Sequence, residues 1–154
     1  MTNYLIDDEL AEEDLLACAT RVAETIDNLE GHGEAMKAMA ARYTDAGQLD
    51  FAVALVETIN DPYIKDEALA SIAVKAAETG ERDEALQLLK SVEDPSFRAS
   101  AMAQIAIKQA EAGDTDASLE LADRMDDTSS TLAEIAVKCA EGGQPDKAFE
   151  IIQT

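Results

Sequence analysis

The chain has 154 residues, of which 33 are acidic and 12 basic, giving a net charge of −21. A field of that sign repels phosphate backbones and anionic lipid, which argues against nucleic acid and membrane surfaces as partners and for proteins or peptides, basic ones above all. The length suits one domain over residues 1–154 that buries about two-thirds of its unfolded surface, so it needs no metal, disulfide or other cofactor to fold.

The opening MTNYLIDDELAEED is acidic and lacks the basic start and apolar centre of a signal peptide, and no apolar run reaches the length of a membrane span, so the expectation is a cytoplasmic protein. Tyr4, Leu5 and Ile6 form a small apolar cluster. A helix is predicted over 8–27, where Leu15, Leu16, Ala19, Val22, Ala23 and Ile26 recur at helical spacing. Asp7, Asp8, Glu9, Glu12 and Glu13 crowd its start, where the helix dipole favours negative charge. Shifted by 33 positions, Cys18 falls on Phe51, Val22 on Leu55 and Ile26 on Ile59. The segment therefore reads as the second half of a helical hairpin acting as an N-terminal cap. Cys18 and Cys139, both among alanines, read as buried free thiols. Gly31-His32-Gly33 reads as a loop, and His32, the sole histidine, as a solvated side chain without partners for metal or general-base chemistry.

From Glu34 a grammar repeats: helix, glycine, second helix, Asp-Pro. Gly47, Gly80 and Gly113 are 33 residues apart and Gly143 follows 30 later. A fixed period of this length is the mark of stacked helical hairpins, an all-α solenoid. The repeats span 34–62, 63–95, 96–127 and 128–154. In the first, Met36, Met39, Ala40 and Tyr43 precede Gly47, and Ala52, Val53, Leu55, Val56 and Ile59 follow it. In the second, Leu69, Ile72, Ala73 and Ala76 precede Gly80, and Ala85, Leu86, Leu89 and Val92 follow. Asp61-Pro62 and Asp94-Pro95 open new units, with Asp as helix cap and Pro in the first turn. The loop at Asp127-Thr128-Ser129-Ser130 is three residues shorter and has no proline. Asp50, Asp83, Asp116 and Asp146 each stand three residues after a turn glycine and are expected to cap the second helices.

These columns resemble the tetratricopeptide repeat family over about 34–154. The small residue seven before the glycine is Ala40, Ala73, Ala106 or Ala136, and that five after it is Ala52, Ala85, Ser118 or Ala148. Large apolar residues occupy Met36, Leu69, Met102 and Leu132, then Met39, Ile72, Ile105 and Ile135. The unit is 33 residues rather than the family's roughly 34, and the aromatic expected four before the glycine is present only as Tyr43, with Ala76, Gln109 and Cys139 in its place. The resemblance implies a right-handed α-solenoid of about four hairpins plus the capping helix, with a peptide-binding concave groove. Column by column, its floor would hold Ala70, Val74, Ala77, Ala103, Ile107, Ala110 and Val137, with Glu67, Glu78 and Glu111 at its margins. The Lys, Arg and Asn that grip a C-terminal carboxylate in some family members are absent from these positions.

No phosphate loop, Cys-x-x-Cys pair, histidine pair or Ser-His constellation is present. The sequence therefore points away from catalysis. The expected function is a non-catalytic interaction scaffold that takes a peptide or amphipathic helix, possible basic flanks included, in the groove. An alternative is a homo-oligomerising module, a homodimer for instance, that uses Phe149, Ile151 and Ile152 at the C-terminal edge. A third reading, less favoured, is a hydrolase using groove carboxylates. Arg42, Lys75, Lys108 and Lys138 form a basic column, each with an acid three residues on (Asp45, Glu78, Glu111, Glu141), which predicts one ion pair within each first helix. Self-repulsion of the surplus charge opposes the compact state and salt screens it. The midpoint of thermal unfolding, followed by circular dichroism, should therefore climb from low to molar salt, and a flat midpoint would show the acids already compensated.

Overall fold

The computed structural model describes residues 17–23, 25–26, 29–125 and 128–153. The expected cluster at Tyr4, Leu5 and Ile6, the start of the first helix and Asp127 lie outside them. Every regular element among the described residues is an α-helix: α1 over residues 17–23, then α2 Leu29–Asp45, α3 Leu49–Glu57, α4 Pro62–Thr79, α5 Arg82–Ser91, α6 Pro95–Glu111, α7 Thr115–Ala122, α8 Ser129–Glu141 and α9 Pro145–Ile152. Two compact units divide the chain, Met1–Ile72 and Ala73–Thr154, with the boundary inside α4.

In the first unit α2 packs on α3. Gly31-His32-Gly33, expected as a loop, lies within α2. The reason is tertiary. A Cβ on Gly33 would come within 3.1 Å of Ile64 Cδ1 and 3.4 Å of Ile59 Cγ2, so the glycine serves a close helix approach rather than a turn. Lys37 bridges Glu34 at 2.9 Å and Glu67 at 2.8 Å, and Lys65 reaches Glu57 at 2.6 Å. The Phe51 ring stacks on Tyr43 with centroids 5.8 Å apart. Phe51 is nevertheless 62% exposed. Cys18, which the repeat aligns with Phe51, is exposed too, which corrects the expectation of two buried thiols; Cys139 alone is buried.

In the second unit α6 packs on α5, α7 and α8, α7 also meets α8, and α8 packs on α9. The hairpin turns share one geometry. Gly47, Gly80, Gly113 and Gly143 have φ of 73°, 95°, 86° and 79°. At each, the next residue's N–H donates to the carbonyl five positions back: Gln48 to Tyr43 at 2.8 Å, Glu81 to Ala76 at 2.8 Å, Asp114 to Gln109 at 2.9 Å and Gln144 to Cys139 at 2.8 Å. This is the six-to-one bond of a Schellman stop, which needs a left-handed residue that glycine adopts without a Cβ clash.

The aspartates three past each glycine are not the caps. The capping positions are Gln48, Glu81, Asp114 and Gln144, and of these only Asp114 makes a side-chain cap bond, accepting from Ala117 N at 3.2 Å. Asp50, Asp83, Asp116 and Asp146 sit in the first turn instead, where the exposed N–H groups and the dipole stabilise negative charge without a cap bond. The Asp-Pro caps hold as expected: Asp61 accepts from Tyr63 N at 2.9 Å and Ile64 N at 3.1 Å, and Asp94 from Ser96 N at 2.7 Å. α8, entered without a proline, has no side-chain cap.

Both small-residue columns are buried: Ala40, Ala73, Ala106 and Ala136 before the turns, and Ala52, Ala85, Ser118 and Ala148 after them. Ser118 Oγ donates to the Ala106 carbonyl at 2.6 Å, a buried side chain on α7 bonding the backbone of α6. Successive hairpins are stapled at their turns. Thr115 Oγ1 donates to Gln144 Oε1 at 3.0 Å and lies 3.4 Å from Cys139 Sγ, while Lys147 reaches Asp116 at 3.2 Å. Ser118→Ala should lower unfolding free energy by about 1 kcal/mol, the net worth of one buried hydrogen bond. Ser118→Leu should cost about 1–3 kcal/mol more by forcing α6 and α7 apart. Urea denaturation separates the two, and equal costs would contradict a crossing set by side-chain size.

Candidate functional site

The apolar column expected as a binding floor lies on the first helix of each hairpin. Val137 on α8 is 55% exposed, and Val74 on α4 and Ile107 on α6 are half-buried. Ala77 and Ala103 are also half-buried, whereas Ala70 and Ala110 are buried and present little surface. Within the second unit, Ile107 and Val137 occupy matching positions on α6 and α8, which pack together. The positions beside them, Gln104, Ala133 and Glu134, are exposed.

Along one margin runs a continuous alternation of charge. Lys75 lies 3.6 Å from Glu78, Glu78 lies 3.7 Å from Lys108, and Lys108 lies 3.4 Å from Glu111. Glu111 then lies 3.2 Å from Lys138, which lies 3.2 Å from Glu141. Sequence spacing predicts only the pairs within a helix. The structure adds the rungs between helices, because one repeat carries each lysine to the next helix beside the preceding glutamate. All three acids expected to face a ligand from the margin, Glu67 included, are thereby held by lysines. Single exposed pairs contribute little, and the gain of a ladder lies in fixing several side chains at once. Its central acid shows the effect: hydrogen bonds from Lys138 and then Lys108 hold the Glu111 carboxyl below the ordinary glutamate range. Lys138 is raised in turn by Glu111 and Glu141.

Next to the ladder is a cavity of about 370 Å³ between α4 and α6, lined by Ala77, Glu78, Ile105, Lys108, Gln109 and Ala112. Gln109 Oε1 is buried there and accepts no hydrogen bond. A buried acceptor left unpaired costs free energy comparable to a lost hydrogen bond, so the site favours an incoming N–H. Sequence reasoning did not select Gln109. Its signal was present in the column of Tyr43, Ala76, Gln109 and Cys139, whose other members are all buried and which holds one side-chain amide. Ile151, expected at an open edge with Phe149 and Ile152, is buried on the side of α9 that meets α8; Phe149 and Ile152 are 65% and 73% exposed.

No group of three or more His, Cys, Asp or Glu among the described residues could hold a metal ion, and none of the described helices is long and apolar enough to cross a membrane. No protein-family model, curated protein or solved structure matches the chain.

Because the folded-state value of Glu111 lies below its unfolded one, its contribution to stability is present above the unfolded value and is lost as pH falls through the folded one. An NMR titration should place the Glu111 carboxyl below an ordinary glutamate, and Lys138→Met should move it back up. An unmoved titration in that variant would mean the rung does not form in solution.

Proposed function

We propose that the chain is a non-catalytic protein-interaction module of tetratricopeptide-like build, a right-handed solenoid of about four hairpins with a capping helix ahead of them. In this reading the first helices present Val74, Ile107 and Val137 to an amphipathic peptide or helix from a partner. The observation that carries it is an apolar side chain at the same repeat position on neighbouring helices, half-buried at Val74 and Ile107 and 55% exposed at Val137. Anchors recurring at helical spacing suit such a row, as in other helix-in-groove contacts. Gln109 Oε1 supplies an acceptor beside the row for a partner N–H. The ladder is internally neutral, so attraction of a basic ligand comes from the net charge of −21 and falls with salt.

Affinity purification with the full chain from its native source should recover a partner protein. Val137→Glu should reduce that recovery about tenfold or more, the loss typical of a charge placed at a central anchor, with the helical spectrum unchanged. Ile107→Glu, also in the row, should act in the same direction. Equal recovery with V137E would contradict this face as the interface.

A second reading rests on a different observation, the outward apolar pair Phe149 and Ile152 on α9. It makes the chain a homo-oligomer through that helix. Light scattering should then show Phe149→Asp converting a larger species to a monomer; a monomeric parent chain at high concentration would remove the reading.

A further inference from the structure

A second cavity, of about 380 Å³, opens on another face of α6, between α5 and α7. Its floor is apolar, made by Leu86 and Leu89 from α5, Met102 from α6 and Leu121 from α7. Leu89 and Leu121 are buried, and Leu86 and Met102 half-buried. Its polar lining is cationic throughout: Lys90, Arg98 and Arg124. Three of the chain's twelve basic residues thus gather on one small cavity in a protein with 33 acids.

Seven of the chain's nine other Lys and Arg residues, all but Arg21 and Arg42, are already paired. Each ladder lysine, and likewise Lys37, Lys65, Arg82 and Lys147, lies within 4 Å of a carboxylate. Among the described residues no carboxylate pairs with Lys90, Arg98 or Arg124. Lys90 Nζ donates to Gln87 Oε1 at 3.2 Å, and Arg98 Nη1 to the Val92 carbonyl at 3.0 Å, which leaves most donors of both groups uncommitted. Helix ends help to gather them: Lys90 lies in the last turn of α5 and Arg124 just past the end of α7, where the carbonyl ends favour positive charge. That preference explains two of the positions. It does not explain why all three side chains line the same apolar floor and none takes a carboxylate in so acidic a chain.

We infer that this cavity is a binding site for a small amphiphilic anion, a carboxylate carried on an apolar body, with the body on the leucine-methionine floor and the head among Lys90, Arg98 and Arg124. The volume lies within the roughly 300–1,000 Å³ of small-molecule sites, and an apolar floor with few convergent polar groups is their usual build. Arginine and lysine hydrogen-bonding a carboxylate beside low-dielectric walls give contacts about twice as strong as neutral ones. The net charge sharpens the inference. The protein as a whole repels anions, so an anion that binds does so through local donors and not through the general field.

The test uses the full chain and three probes: decanoate, with head and tail; 1-decanol, with the tail alone; and acetate, with the head alone. Calorimetry should show saturable binding of decanoate, about tenfold or more tighter than decanol, and none of acetate. Methyl NMR should place the shifts on Leu86, Leu89, Met102 and Leu121. The double variant Lys90→Gln, Arg124→Gln changes two exposed side chains, so its circular dichroism melt should match that of the parent while decanoate affinity falls about tenfold or more. Equal affinity for decanoate and decanol, undiminished binding by the double variant, absence of decanoate binding, or shifts centred on Ile107 and Val137 would each overturn the assignment.

Discussion

Two helices joined by a tight turn can close on each other only where both offer a small side chain, and this requirement governs the chain. A Schellman stop at each turn glycine fixes where the first helix ends, and so which residue of the second comes opposite it. The residues seven before and five after the glycine are alanine or serine in every unit and are buried in every unit. At the third turn the approach is close enough for Ser118 to bond the Ala106 carbonyl. With that spacing set, the larger side chains Leu69, Ile72, Ile105 and Ile135 fall inward, and the periodic rows that remain fall outward.

The outward rows are the surface that the described helices present. Because each repeat brings the same positions to neighbouring helices, a property of one residue type becomes a property of a surface. The lysine and glutamate columns become a charge-neutral ladder, with Glu111 held between two lysines. The column of Ile107 and Val137 becomes an apolar row. Of the cations that line the other cavity, Arg98 shares its repeat position with Lys65, whereas Lys90 and Arg124 have no basic counterpart, and the three come from different elements. Their convergence is a feature of one place in the fold rather than of the repeat, which is the usual condition of a specific site.

The helical class and turn positions were legible in the sequence because they rest on local physics: glycine's left-handed conformation, Asp-Pro starts and helical spacing. Register at the level of one or two residues was less so. The aspartates three past each glycine look like caps, yet the helices start earlier and these side chains lie in the first turn without a cap bond. Gly31-His32-Gly33 looks like a loop by composition, and only the approach of Ile59 and Ile64 to Gly33 shows why glycine stands in a helix. Cys18 aligns with Phe51, and the exposure of both shows that an apolar residue in a repeat column need not face inward. Rungs between helices, the unpaired Gln109 oxygen and the cationic cavity all depend on which helices meet, which spacing along one helix does not contain.

The most direct test of the account is a scan of one column: Ala40→Leu, Ala73→Leu, Ala106→Leu and Ala136→Leu, each measured alone by urea denaturation. If one crossing is built four times, each substitution should cost about 1–3 kcal/mol or more through overpacking, with little difference between sites. A site at which leucine is accepted without loss would contradict the account, because the paired helices there would not be held by the contact from which the rest of the structure follows.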